Sequence, residues 1–195
     1  TLLALLLGFL HPERGEAGAP QRIAWCPQEP QLVSTTVREN LRLAEPGASD
    51  DELAAALRVA GLPEWGDRLD TVVGGSGTAL SGGEAQRLAL ARALLLPDAE
   101  LVLLDEPTAH LDVPTAEALL DRLEHALRDR TLVHVTHRWS EAERADVVLR
   151  VDGGELTVVR ARDDDSRPVA GAAPSGGTPA RAGQSRRGRN VVRDR

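Results

Sequence analysis

The sequence contains no lysine, so every one of its 23 Lys-or-Arg positions is arginine. This absence excludes a loop of the form G-x-x-x-x-G-K-[ST] from these 195 residues, since that loop sets a lysine on the β- and γ-phosphates of a nucleotide. Cysteine is nearly as scarce. Cys26 stands alone, which rules out an intrachain disulfide and fits a reducing compartment. Aromatic residues make up 2 %, so Leu, Val and Ala must fill the core, and the 42 % hydrophobic content is ample for that. The formal net charge of -7 leaves no globally basic surface, and nucleic acid is not expected as a partner. Arginine without lysine, beside abundant Ala, Gly and Asp, reads as genomic compositional bias. The opening run Thr1 to Leu10 falls short of the roughly 20 apolar residues a membrane-spanning helix needs. It also lacks the initiator Met, basic n-region and small-residue cleavage site of a secretory signal. The expectation is a chain that starts partway into a larger element, with no transmembrane segment following.

A chain of this length is one domain, at most with a tail. Residues 1–10 read as a helix buried on most sides and stopped near Gly8 and Pro12. Ile23 to Cys26 is a short strand running through Pro27 into a loop at Gln28. From Thr36 to about Gly61 the pattern is helical, with Ser49 capping the acidic turn Asp50-Asp51-Glu52. Residues 71–79 form a Gly-rich loop. Glu84 to Leu96 is a helix with Leu88, Ala91 and Leu95 on one face. Leu101 to Leu104, apolar without alternation, suits a central parallel strand. A helix over Pro114 to Arg128 carries the stripe Leu119, Leu120, Leu123, Leu127. Thr131 to Thr136 is a further strand, 140–146 a short helix, and 147–151 with 156–159 a hairpin around Asp152-Gly153-Gly154. Strands alternating with helices give an α/β fold on a parallel sheet. After about Arg160, Gly, Pro, Ser, Asp and Arg without periodicity predict a disordered, Arg-rich tail over 161–195, following one folded domain over 1–160.

In a parallel α/β sheet, ligands collect at the carboxyl ends of the strands. Asp105 and Glu106 end the apolar strand there, and His137 follows the strand at 131–136. Adjacent carboxylates alternate to different sides, so one can ligate a divalent ion while the other orients or deprotonates a water. A solvated acidic turn explains Asp-Glu alone, but not Asp-Glu followed by Pro107-Thr108 within the wider constellation. Ser81-Gly82-Gly83 opens the helix at 84, where exposed N–H groups and roughly +0.5 charge of the helix dipole favour an anion. The same residues also read as a plain N-cap with Glu84 as capping-box partner, and both readings can hold together. His137 alone would more often be a core histidine; beside Thr136 and Arg138 at a strand end it is placed to meet a phosphate.

These residues resemble the nucleotide-binding domain of ABC transporters. Leu80-Ser81-Gly82-Gly83-Glu84 is similar to the family signature motif and Leu101 to Glu106 to Walker B. Gln28 matches the Q-loop, Ala109-His110-Leu111-Asp112 the D-loop, and Val135-Thr136-His137-Arg138 the switch histidine. Each motif is weak alone; five in the family's order over residues 1–160 are specific. The resemblance implies a P-loop NTPase-like parallel sheet with a small helical subdomain carrying the signature, and ATP with Mg²⁺ as ligands. It implies that Asp105 and Gln28 contact Mg²⁺, that Glu106 is the general base, and that His137 contacts the γ-phosphate. Ser81, Gly82 and Gly83 would bind ATP held by a second nucleotide-binding domain, and Asp112 would couple the two sites. Residues 31–41 are similar to the segment that faces the coupling helices of an exporter's transmembrane domain. The Ser-Gly-Gly-Glu ending and Val73-Gly74-Gly75 resemble the CydC-type subunit of the cysteine/glutathione exporter. The implied place is the cytoplasmic face of the plasma membrane.

The chain departs from the family pattern at its start. Thr1-Leu2-Leu3 resembles the residues that follow G-K-S in a P-loop, so Thr1 is the first remnant of the phosphate site. The glycine cradle, its lysine, the metal-binding hydroxyl that precedes Thr1 in the pattern and the upstream adenine-stacking aromatic are not among these residues, and Gly75 stands where many exporters carry Glu. Three readings follow: a transport ATPase whose full-length parent works as a dimer, a half-site donor offering its signature in trans without catalysis, and a non-transport ABC ATPase. The exporter-like segment 31–41 argues against the last.

Overall fold

The computed structural model describes residues 1–74 and 80–161 and the backbone of 190–193. Its main sheet is built from β1 (Ile23–Cys26), β4 (Leu101–Asp105), β5 (Thr131–Val135), β6 (Val147–Asp152), β7 (Glu155–Ala161) and β8 (Asn190–Arg193), in the order β1-β4-β5-β8-β6-β7. The first five positions run parallel, and β7 returns antiparallel from β6. A separate ribbon pairs β2 (Thr35–Thr36) with β3 (Val72–Val73). β4 is central, as its unbroken apolar run predicts: Val102, Leu103 and Leu104 are fully buried. Strand alternation divides its side chains between two layers. Val102 and Leu104 join Ala24 and Cys26 beneath the helices α3 (Asp50–Val59), α4 (Gly82–Leu94) and α5 (Val113–Ala126). Leu101 and Leu103 face the other way with Val133 and Val135, against Leu2, Leu3, Leu6 and Leu7 of and beside α1 (Leu2–Leu6).

Several helices begin where their caps predict. Ser49 and Ser81 each accept a bond from the N–H three residues on, and the Glu52 and Glu84 carboxylates accept one from the cap N–H in turn. Asp112 caps α5, with Pro114 in its first turn. The stripe of α5 is buried as expected, Leu119, Leu120, Leu123 and Leu127 all lying in the interior. Leu119→Ala is expected to cost about 2–5 kcal/mol, because it opens a cavity that the rigid sheet cannot fill. Urea unfolding checks this, and a loss below 1 kcal/mol would mean that α5 does not pack as described.

Three expectations need correction. The first helix is one turn, with none of its residues fully buried, because Gly8 (φ +73°) turns the chain away and leaves Phe9 and Leu10 exposed. The helical stretch 36–61 is two helices, α2 (Val37–Arg42) and α3; Pro46-Gly47 breaks it. The loop 71–79 contains β3, which Gly74 ends at φ +90°, where a Cβ would lie 3.0 Å from the Cα of Ser34. Gly75 lies outside the described residues. So does the expected disorder of 162–189 and 194–195; the backbone of 190–193 forms β8. Those four residues ladder to β5 on one side and β6 on the other, supplying partners to backbone groups along both strands. The hairpin is as expected: Gly153 and Gly154 turn at φ +57° and +85°, the positive values a two-residue loop demands. A short α6 (Trp139–Ala142) follows β5.

Candidate functional site

Because β1, β4 and β5 are parallel neighbours, their carboxyl ends deliver Gln28, Asp105-Glu106 and His137 to one edge of the sheet. Glu106 is where they meet. Its Oε1 lies 2.5 Å from Nε2 of His137. Its Oε2 accepts a bond from Nε2 of Gln28 at 3.2 Å. Its own backbone is left-handed (φ +48°), a conformation that costs a non-glycine residue on the order of 1 kcal/mol. Two bonds hold it there. The Glu106 N–H donates to the Val135 carbonyl at 3.0 Å, and the Gln86 side chain donates to the Glu106 carbonyl at 2.8 Å. The kink turns the carboxylate back between Gln28 and His137 instead of letting it continue the strand. His137 is about half exposed and the Glu106 carboxylate mostly sheltered, so a small water-accessible ligand could reach the pair.

Asp105 points elsewhere, as alternation predicts. It shares the wall of a cavity of about 650 Å³ with Thr1, Trp25 and the Gly153-Gly154 turn. Thr1 is thus brought to the Asp105 side of the strand. Asp105 offers a carboxylate, a donor that suits a hard cation, on the wall it shares with Thr1, while Gln28 keeps an acceptor oxygen once its amide N–H binds Glu106. Among the described residues no group of three or more His, Cys, Asp or Glu gathers as a metal cage. A magnesium ion here would therefore take its remaining ligands from phosphate and water, as that ion usually does.

Ser81, Gly82 and Gly83 sit at the exposed start of α4, with open space over Gly82 and His110 beside Gly83. The Ser81 hydroxyl is engaged with Glu84, which holds the Glu84 carboxyl below its ordinary range through backbone and side-chain bonds from Ser81. The cap reading is therefore realised, and the α4 N–H groups beyond it stay at the surface. Ser81→Ala is expected to destabilise the fold by about 1 kcal/mol; an unchanged urea midpoint would show that the cap is not made. Asp112 caps α5, accepting the Thr115 N–H at 2.8 Å, and the Thr115 side chain together with that N–H lowers its pKa. Neither Ser81 nor Asp112 is drawn into the Gln28–Glu106–His137 group.

Sequence reasoning missed Gln86, Asn40 and Glu141, all buried polar residues. Gln86 had a signal, a polar side chain one turn before Leu90 on the inward face of α4. Asn40 binds the Val33 N–H and carbonyl and the Thr36 carbonyl at 2.9–3.0 Å, fixing the segment after Gln28. The thiol of Cys26, two residues before Gln28, is pushed up to about 12 by burial, so it is inert as a nucleophile.

A parallel sheet with a carboxylate, a histidine and a glutamine converging at its carboxyl edge, beside a capped glycine-rich helix start, defines a nucleotide-hydrolase type of site. The family description "ABC transporter" matches residues 1–109. The chain is 42 % identical over 173 residues to the mycobactin import ATP-binding/permease protein IrtB of Mycobacterium tuberculosis H37Rv, covering 80 % of this chain and 30 % of that protein. It is 44 % identical over 171 residues to the glutathione/L-cysteine transport system ATP-binding/permease protein CydC of Escherichia coli K12, with the same coverage. It is 38 % identical over 173 residues to the ATP-dependent lipid A-core flippase of Chromohalobacter salexigens, again covering 80 % and 30 %. The chain thus spans under a third of the length of these relatives. It belongs to the ABC transporter family, as an ABC-type ATPase domain. Among the described residues no helix is long and apolar enough to cross a membrane.

Proposed function

We propose that this domain couples ATP hydrolysis to solute movement by a transmembrane domain, working at the cytoplasmic face of the plasma membrane against a second nucleotide-binding domain. The Glu106–His137–Gln28 convergence carries this reading. Glu106 accepts the proton of the attacking water, held by Gln28 and His137 on either side so that the carboxylate keeps one orientation. His137, half exposed, bonds the transferred phosphoryl group. Asp105 and Gln28 would hold Mg²⁺, whose charge would offset that of the phosphates, and Thr1 would lie beside the nucleotide. The exposed α4 N-terminus offers Gly82 and Gly83 N–H groups to ATP bound by the opposite domain, and Asp112 contacts that domain.

Export fits the similarity of residues 31–41 and of the Ser-Gly-Gly-Glu motif to the thiol exporter subunit. The relatives' names, however, include a mycobactin import protein at similar identity. The substrate is read by a transmembrane domain, and thiols such as cysteine or glutathione are the first to try. A second reading, a half-site donor that offers its signature glycines in trans without its own turnover, is favoured by the exposed Ser81-Gly82-Gly83 start of α4.

Mg²⁺-ATP titration calorimetry decides between them. The chain is titrated as it stands and with a G-x-x-x-x-G-K-S loop joined ahead of Thr1. Binding only by the extended chain supports the transport-ATPase reading. Binding by neither leaves the half-site reading, and binding by the unextended chain would show that another phosphate site exists.

A further inference from the structure

The Glu141 carboxylate is buried (5 % exposed) and lies outside the group that meets at Glu106. It nevertheless takes bonds from the two loops that deliver Glu106 and His137. The Thr108 hydroxyl, two residues after Glu106, is shared between its two oxygens at 2.8 and 2.9 Å. The Thr136 hydroxyl, next to His137, donates to Oε2 at 2.8 Å. Arg138, on the other side of His137, donates from Nη1 to Oε1 at 3.3 Å and from Nη2 to the Leu111 carbonyl at 3.2 Å. His134 faces the carboxylate with its Nε2 3.5 Å away and lacking a bond. A carboxylate has about four lone-pair sites, and here they are spread over two loops, the β5–α6 connection through Thr136 and Arg138 and the β4–α5 connection directly at Thr108, while Arg138 also reaches the far end of that second loop at Leu111. A solvated acidic residue on a one-turn helix would have no need of such partners, and a buried charge persists only when it is bonded.

Resting on the proposed function, we propose that Glu141 is a positioning residue that ties the Glu106–His137 contact to the Leu111-Asp112 turn. Thr108 fixes the loop leaving Glu106, Thr136 and Arg138 fix both sides of His137, and Arg138 carries the constraint to the carbonyl just before Asp112. Displacing that turn would pull Arg138 off Glu141 and loosen the histidine from Glu106. A partner domain touching Asp112 would thereby sense, and set, the geometry of the hydrolytic pair.

The test uses the full 195-residue chain labelled with ¹⁵N-histidine, without nucleotide. Ring nitrogen shifts of His137 are read on its carbon-bound protons, with exposed His11 as the internal reference and Glu106→Gln identifying the signature of the contact. Glu141→Gln keeps the size and one acceptor oxygen, but turns an N–H₂ toward Thr136 or Arg138. It is expected to melt within about 5 °C of the parent while its His137 shifts move at least halfway to those of His11. Leu119→Ala, which loosens the core elsewhere, is expected to leave them in place. An unmoved His137 signal in Glu141→Gln would overturn the inference, as would an equal movement in Leu119→Ala, which would mark general loosening. Since no nucleotide is present, either result is independent of whether ATP binds.

Discussion

Glu106→Gln, in the chain extended by a phosphate-binding loop and assembled with its partner domain, is expected to lower ATP turnover at least a hundredfold while leaving ATP affinity nearly unchanged. General-base catalysis contributes about 10²–10⁴-fold, and the glutamine amide has almost no basicity. Its carbonyl oxygen can still accept the Gln28 bond, and the two bonds that hold the kinked backbone, to Val135 and from Gln86, do not involve the side chain. Phosphate release and nucleotide titration separate the two effects. A turnover that falls less than tenfold would remove Glu106 from the role of base. Equal losses in affinity and turnover would instead show that the carboxylate serves to bind.

The second large effect is a loss of stability in acid that originates at His134. This ring is fully enclosed on β5, between Leu120, Leu123 and Leu132, with Glu141, Arg144 and Glu124 around the same small cavity. Burial drives its pKa from 6.5 down to about 4, against the opposing pull of Glu141. The unfolded chain therefore binds a proton below pH 6.5 that the folded chain refuses until about pH 4. Stability from this group is complete above pH 6.5 and is lost as the pH falls through that window. A shift of this size corresponds to about 3 kcal/mol at its limit. His134→Leu keeps an apolar filling and removes the titration. Urea midpoints of parent and variant are expected to diverge between pH 6.5 and 4, with the variant less acid-sensitive. Parallel pH profiles would show that His134 accepts its proton in the folded state.

Much of the site was legible because its chemistry is local in sequence. Asp105-Glu106 after an apolar strand, His137 after the next, and Ser81 three residues before Glu84 each carry their reason within a few residues, and the structure places each at a strand end or helix start. Gln28 was legible only through family resemblance, since a lone glutamine after Cys26-Pro27 has no pattern of its own. Glu141 and Gln86 were illegible in practice. Their bonds reach Thr108 and Glu106, 33 and 20 residues away, and no periodicity encodes such a pairing. The break at Pro46-Gly47 was written in the sequence and overridden by the strong helical pattern on either side of it. By contrast, nothing local predicts that Asn190–Arg193 joins the sheet, because the reason is the pair of strand edges it meets.

By itself the sequence determined the class of fold, the succession of β1, α4, β4, α5, β5 and the β6–β7 hairpin, the caps of α3 and α4, and the chemical types gathered at the carboxyl edge. Composition, periodicity and capping act over one or two turns, and the chain states them directly. Tertiary structure alone decided that Glu106 adopts a left-handed backbone and bonds His137 and Gln28, while Asp105 turns to the Thr1 cavity. It also decided that the buried Glu141 holds the loops on either side of that contact. Those outcomes depend on which strands lie side by side and on burial that makes an unbonded charge too costly to keep, and both arise only when distant segments pack together.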